Sequence, residues 1–568
     1  MKTKKRHFAF TVGVSLVAAA MALTSSAPAA VAVTGRQAAV TAPTAAPPWT
    51  AAASPRTAAA SPRTAAPACA PDTTVQTDRG PLCGLVTNNV RSWLGVPYAA
   101  PPVDKLRWAP PEQHAPWTTT LEATQRGLPC PQPAFLGPES YDEDCLRLNV
   151  AAPVNAGAEP LAVMVEFHGG GFRLGSSTDG TYMAGAGRVV HVSVDYRLGI
   201  LGFLAHKALG ARSGNWALRD QQEALRWVQR NISRFGGDPN NVTIYGASAG
   251  GSSVCAHTTS PLSKGLFQKG ISQSGEYNSL RGHETMWQTQ DCKSDLPTEA
   301  EAQQAGDRFA AAVGCGNAAD VAACLRAVPA KTLLEKAGDG LGPDKGTLAP
   351  IVDGTILPLS PAEAFATGRI NKVSLMHGVD RDETQLMGAN TPEEYEALVK
   401  EQYDTLAPEV FKRYPLKRFP APAAFIAYRT IVADSNSVCP AILNDERLAR
   451  HIPVYAFQVE NSDAPPLFFL DKTKPNGSYH INEVPYLIFP RTDLSANQQT
   501  FGSQLVAQWT GFARTGDPTV DGTPYWSRFT RSHPTVMSLV PAGDSQLTEE
   551  ISKQHHCGFW KKYMAFNR

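Results

Sequence analysis

Ser248 stands in Gly246-Ala247-Ser248-Ala249-Gly250, a GxSxG pattern that follows the β-rich run Val242-Thr243-Ile244-Tyr245. Small residues on both sides let a strand turn into a helix so tightly that the serine is held in a strained conformation with its hydroxyl projecting. The chemistry this suggests is nucleophilic attack. A serine needs a base to take its proton and a third group to hold that base. The pentapeptide also reads as a plain glycine-rich turn, so the partners must come from the rest of the chain. At a nucleophile elbow the order is Ser, acid, His. Gly378-Val379-Asp380-Arg381-Asp382-Glu383 follows an apolar run and offers three carboxylates, among which spacing does not choose. Beyond it come His451, His480, His533, His555 and His556. His480 closes the polar turn Asn476-Gly477-Ser478-Tyr479-His480 ahead of the apolar NEVPYLIF, where a loop can carry an imidazole over a sheet. A lone loop histidine reads more readily as a surface residue. Attack on a carbonyl places negative charge on oxygen, and backbone N–H groups must already point at it. The glycines after His168 in His168-Gly169-Gly170-Gly171-Phe172 permit that approach, and Ala249 brings the N–H next to the nucleophile. A glycine run after a strand also suggests a phosphate loop, but the GK[ST] ending is absent.

The elements that must position these groups are short apolar runs alternating with helical patterns. Leu161–Phe167 precedes the glycine run, Val189–Val194 precedes Asp195-Tyr196-Arg197-Leu198-Gly199, and Val373–Met376 precedes the acidic segment. Between the second run and the elbow, Leu218, Leu225, Val228 and Ile232 recur at helical spacing over 215–235, and Gly236-Gly237 ends the pattern. Alternation of this kind predicts an α/β fold: a large, mostly parallel sheet with helices on both faces, its chemistry at the carboxyl ends of the strands. The segments 276–345 and 391–450 read as helices and loops, hence as insertions over the site rather than separate domains.

The chain has 568 residues, 43% of them hydrophobic, and a formal charge of +1 from 52 basic and 51 acidic residues. That balance carries no footprint for nucleic acid or for an anionic membrane. Residues 1–32 read as a cleaved secretory leader: Lys2, Lys4, Lys5 and Arg6 lead, the apolar run Phe8–Leu23 follows, and Ala30-Val31-Ala32 ends it. The apolar run is short for a membrane span, so no stable anchor is expected after cleavage. Residues 33–68 are mostly Ala, Thr, Pro and Ser, with AAASPRT at 51–57 and again at 58–64, a composition that reads as a disordered linker. A single folded domain is then expected over 69–568. All ten cysteines lie in that part, and an even count in an exported chain points to disulfides. Local pairs Cys69–Cys83, Cys130–Cys145 and Cys315–Cys324 are the economical choice, leaving Cys255, Cys292, Cys439 and Cys557 with their connectivity open. Asn231, Asn241 and Asn476 each open an Asn-x-Ser/Thr pattern.

Several motifs in order resemble the type-B carboxylesterase/lipase family, the α/β-hydrolase branch that includes the cholinesterases. They are GVPYAAPP at 95–102, EDCLRLNV at 143–150, HGGGF at 168–172, YRLG at 196–199, DQQEALRWVQRNISRFGGDP at 220–239, the GASAG elbow, Gln273-Ser274-Gly275, the acidic segment ending at Glu383, the His480 loop and GFARTGDP at 511–518. The resemblance implies an α/β-hydrolase fold with helical insertions, and Ser248 as nucleophile, Glu383 as acid and His480 as base. It implies Gly170, Gly171 and Ala249 as oxyanion donors, with Ser274 a supporting hydroxyl. It also pairs Cys130 with Cys145, Cys315 with Cys324 and Cys439 with Cys557, which leaves Cys69 with Cys83 and Cys255 with Cys292. The activity implied is hydrolysis of small-molecule esters through an acyl-enzyme, with neither metal nor cofactor, in a secreted protein. Two departures bear on substrate. Ala247 stands where the family commonly has an acid, and the segment from Cys130 to Cys145 has no tryptophan, which in cholinesterases meets the substrate cation. Both argue against choline esters. A lipase is the nearer alternative, with Pro465-Pro466-Leu467-Phe468-Phe469 as a pocket wall or lid, and a non-catalytic binding protein on the same scaffold the more distant one.

Overall fold

The computed structural model describes residues 68–134, 139–155, 157–275, 292, 296–338, 348–383, 388–465, 467, 470–488 and 493–563. The leader and nearly all of the linker read from the sequence lie outside these residues.

Among the described residues fourteen strands form two sheets. A small one joins β1 (Val75–Gln76), β2 (Pro81–Cys83) and β5 (Leu121–Glu122). The large one contains β3 (Leu85–Thr87), β4 (Val90–Pro97), β6 (Arg147–Pro153), β7 (Leu161–Phe167), β8 (Val190–Val194), β9 (Gly237–Ala247), β10 (Lys269–Gln273), β11 (Ser374–Asp380), β12 (Val454–Val459), β13 (Val536–Leu539) and β14 (Gln546–Thr548). Its order is β14-β13-β12-β11-β10-β9-β7-β8-β6-β4-β3. From β13 to β8 every neighbour is parallel, while β14 at one edge and β6, β4 and β3 at the other run antiparallel.

Alternation along β7 shows why both faces are covered. Val163, Val165 and Phe167 face one way, into a cluster with Trp227, Val228 and Val254 from the helices Trp216–Asn231 and Ala249–Thr259. Ala162 and Met164 face the other way, packing with Trp509 and Phe512 of the helix Ala496–Thr515. Strands buried on both sides are near-continuously apolar, as parallel strands of this class are.

Two strands run further than their apolar cores. β9 begins at Gly237, because Gly237 pairs with Leu161 across an irregularity in the ladder, so Gly236, at φ +87°, ends the helical segment alone. β11 continues past Met376 to Asp380, because Gly378, Val379 and Asp380 pair with Phe457, Gln458 and Val459. Asp380 is therefore the last strand residue, and Glu383 lies in the loop beyond it.

The two predicted insertions are helical. Glu299–Ala312, Val321–Ala327 and Ala330–Ala337 share a core with Trp108, Ile200 and Trp216. Pro392–Tyr403, Ala407–Arg413, Ala423–Ala433 and Cys439–Leu448 gather around Tyr395, Tyr403, Tyr414 and Trp560. Five disulfides join Cys69 to Cys83, Cys130 to Cys145, Cys255 to Cys292, Cys315 to Cys324 and Cys439 to Cys557. Of the three glycosylation patterns, Asn231 is fully buried and bonded to Asp78, which leaves no room for a glycan.

The Cys439–Cys557 bridge closes 118 residues and Cys315–Cys324 only 9. Chain entropy makes the first worth about 5 kcal/mol and the second about 2.5 kcal/mol. In guanidinium unfolding, C439S/C557S is expected to lower the midpoint clearly more than C315S/C324S does.

Candidate active site

β9 delivers Ser248 at φ +59° and ψ −125°, immediately before the helix Ala249–Thr259. A left-handed φ is costly for a residue with a side chain and persists only when its surroundings enforce it. Here the enforcement is close packing. A Cβ on Gly246 would stand 2.3 Å from the Phe167 carbonyl oxygen, and one on Gly250 would stand 2.0 Å from the same atom. The two glycines thus let the turn press directly against the end of β7. The Ser248 N–H donates to the Gln273 carbonyl at 2.9 Å, tying the turn to the end of β10. Ala249 opens the helix, where an N–H has no intrahelical acceptor.

The glycine run leaves β7 beside this turn. Gly170 and Gly171 have φ of +108° and +71°. A Cβ on Gly169 would lie 3.2 Å from the Ser248 Cβ, so the run lies against the elbow. His168 does not act as a base here. Its ring stacks on Tyr196 at 4.4 Å, its carbonyl accepts from the Tyr196 hydroxyl at 2.6 Å, and burial lowers its pKa to about 4. Gln132, inside the Cys130–Cys145 loop, donates to the Gly175 carbonyl and accepts from the Gly175 N–H, both at 2.8 Å. That loop thereby clamps the far end of the glycine run. The insertion cluster reaches it too, since Gly199 donates to the Phe172 carbonyl at 2.6 Å.

The acid and the histidine meet at the carboxyl ends of β11 and β12. His480 Nδ1 lies 2.7 Å from Glu383 Oε2, and both side chains are buried. Burial acts on each toward its neutral form, lowering the imidazole and raising the carboxyl. The Asp380 N–H donates to Glu383 at 3.2 Å and the Ser274 hydroxyl, bonded to Asp380 Oδ2 at 3.2 Å, also lies near it; both oppose its rise. Ser274 sits at φ +47° directly after Gln273, so one strand end touches both the Ser248 turn and the acid. The other carboxylates of the segment have different work. Asp382 accepts from the Ser478 N–H at 2.8 Å, holding the histidine loop, and pairs with Arg381. Asp380 is buried beneath Glu383. The remaining histidines lie elsewhere: His451 against Gly368, His533 exposed beside Glu549, His555 on Asp434 at 2.5 Å, and His556 against Tyr414.

Sequence reasoning passed over Tyr196 and Glu483. Glu483, buried three residues after His480, accepts from Gln273 at 2.6 Å. An acid inside the apolar stretch NEVPYLIF is a signal that it is enclosed and bonded. Of the apolar segment considered as a lid, Pro466, Phe468 and Phe469 lie outside the described residues. The grouping with metal-ligand spacing, Cys255, Cys292 and His377, has its two sulfurs joined and His377 bonded to Asp445 at 2.8 Å.

The strand order, with a serine turned out between a parallel strand and its following helix, is that of an α/β-hydrolase. A sequence model of the carboxylesterase family matches residues 71–560. Para-nitrobenzyl esterase of Bacillus subtilis (strain 168) is 31% identical over 503 residues, covering 84% of this chain and 96% of that protein. Acylcarnitine hydrolase of Mus musculus is 31% identical over 476 residues, covering 77% of this chain and 81% of that protein. Among solved structures, a thermophilic pNB esterase superposes with a TM-score of 0.70 at 29% identity, covering 85% of this chain and 99% of its own. The chain belongs to the carboxylesterase family, and it is a carboxylic ester hydrolase.

The packing at Gly250 can be tested directly. G250A must displace the turn or the end of β7, and misplacement of a reacting group by about 1 Å costs on the order of 100-fold in rate. Labelling of Ser248 by a fluorophosphonate is expected to slow by about that factor, with the melting temperature lowered by a few degrees.

Proposed function

We propose that the protein is a secreted serine carboxylesterase acting on small, uncharged esters. In this reading residues 1–32 are a leader, 33–68 a linker and 69–568 the catalytic domain. The observation that carries the mechanism is the buried 2.7 Å contact between His480 Nδ1 and Glu383. An ionised Glu383 at this distance favours the tautomer with the proton on Nδ1 and Nε2 unprotonated, the form a general base requires. Ser248 Oγ bonds to the ester carbonyl carbon while its proton passes to His480 Nε2. The carbonyl oxygen becomes an oxyanion, received by the N–H groups of Gly170, Gly171 and Ala249. The carbon–oxygen bond to the alcohol then breaks, and His480 returns its proton to the leaving oxygen. Water repeats the sequence: it loses a proton to His480, its oxygen bonds to the acyl carbon, and the bond to Ser248 breaks as the serine regains its proton.

Removal of one oxyanion donor in sites of this kind costs about 3–4 kcal/mol. Ala247 carries no charge and the Cys130–Cys145 segment has no tryptophan to meet a cationic alcohol, which supports neutral esters. Five disulfides are compatible with export. Among the described residues no helix is long and apolar enough to cross a membrane.

S248A is expected to lower turnover of p-nitrophenyl acetate and butyrate by about 10⁴-fold or more and to abolish fluorophosphonate labelling. Retained turnover with retained labelling would refute the assignment. Neutral His480 is the competent form and burial lowers its pKa, so the acid limb lies below the ordinary imidazole value. The acid limb of kcat/KM is expected below about pH 6. Export is tested by the mass and N-terminus of protein recovered from culture medium, which should lack residues 1–32.

A further inference from the structure

Three carboxyl groups are enclosed together behind the imidazole. Asp380, Glu383 and Glu483 are all buried, at 0%, 2% and 1% exposure. Among the described residues no Lys or Arg forms an ion pair with Asp380 or Glu483. Arg381, the nearest cation in sequence, is committed to Asp382 at 2.9 Å and Glu460 at 3.6 Å. The groups that face Asp380 are neutral or acidic. Ser274 from the end of β10 lies 3.2 Å from its Oδ2, the Asn482 N–H 3.3 Å from the same oxygen, and the Ser478 hydroxyl 3.5 Å from Oδ1. Glu383 faces it from its own loop and Glu483 from the histidine loop. Like charges this close in a low-dielectric site cannot all be ionised.

The donors decide where the proton goes. Glu483 Oε1 takes the Gln273 amide, while Oε2 is buried and makes no well-formed hydrogen bond, with the residue's own N–H and the Asp380 carboxyl facing the group. Asp380 is the side chain that abuts it. A proton on Asp380 would supply the missing donor. The Ser274 hydroxyl has a single proton and two acceptors within reach, Asp380 and Glu383. Neutral Asp380 is the poorer acceptor, so Ser274 is left to Glu383. Ionised Asp380 would draw that hydroxyl away and set a second negative charge beside the Glu383–His480 pair.

We propose that Asp380 is a positioning residue whose carboxyl shares one proton with Glu483, releasing the Ser274 hydroxyl to Glu383, and that loss of this proton sets the alkaline limit of ester hydrolysis. The proposal rests on Glu383 and His480 acting as described above. Burial and the neighbouring acids both push the Asp380 carboxyl well above its usual range. The direction follows: the arrangement is intact below the pKa of the pair and fails as pH rises through it.

The test compares kcat at about pH 9.5 with kcat at about pH 7.5, normalised to sites titrated by a fluorophosphonate. In D380N the amide imitates the protonated acid, and this ratio is expected to rise about fivefold or more over that of the parent enzyme. In E483Q the new amide donates to Asp380 and favours its anion, so the ratio is expected to fall and kcat at pH 7.5 to drop about tenfold. Adding D380N to E483Q should restore most of that loss. An unchanged or lowered ratio in D380N overturns the proposal, and so does a double variant no better than E483Q. If D380N does not fold, infrared spectra of the parent enzyme serve instead: a buried carboxylic acid band that disappears on alkaline titration is expected, and its absence at neutral pH overturns the proposal. Failure of the triad reading is a different result, since it appears as labelling retained in S248A, whereas this proposal is read in enzyme that labels fully.

Discussion

The Phe167 carbonyl oxygen meets two glycines at distances that no Cβ tolerates, and the rest of the site depends on that contact. Because Gly246 and Gly250 both lie against the end of β7, the turn between them is forced to its smallest radius. Ser248, between the two, has to accept a left-handed φ. The same contact brings the glycine run, which begins one residue after Phe167, alongside the serine. One backbone atom therefore aligns the residue proposed to attack with the segment proposed to receive the oxyanion. The strain at Ser248 is sustained by rigid neighbours on both sides: β9 and its helix on one, and the Gln273 carbonyl on the other.

The second half of the site is held by polar bonds in an enclosed volume. His480 reaches Glu383 from a loop, and loops need restraint if they are to hold a geometry to a fraction of an ångström. Asp382 supplies it by accepting from the Ser478 N–H, and Asn482 by donating to Asp380 from the other side of the imidazole. Burial makes these bonds strong and makes surplus charge costly. The enclosure of Asp380 and Glu483, with which no Lys or Arg among the described residues pairs, is thus a direct consequence of roofing a histidine–carboxylate pair.

Legibility from sequence followed the range of the interactions. The parallel core was readable because each strand buried on both faces is a continuous apolar run, as at Leu161–Phe167 and Val190–Val194. Strand lengths were not, since Gly237 and Gly378 are extended only because Leu161 and Phe457 stand opposite them. The GxSxG turn was visible locally. Its glycines looked like residues that merely permit a turn, whereas their necessity lies in a carbonyl some eighty residues earlier in the chain.

The choice among carboxylates shows the same division. By itself the amino-acid sequence determined the chemical groups present, their order as serine, acid and histidine, the periodicities that make a covered parallel sheet, and the family motifs. Those properties are carried by neighbours along the chain or by residue identity. Only the tertiary structure decided that Asp382 holds the histidine loop, that Glu383 meets His480, and that Asp380 and Glu483 lie together with no cation between them. The three acids at the end of β11 are alike in composition and lie within four consecutive residues, so what separates them is the direction each side chain takes from a bending backbone. That direction is set by contacts from β10, β12 and the loop near residue 480, all far away in sequence.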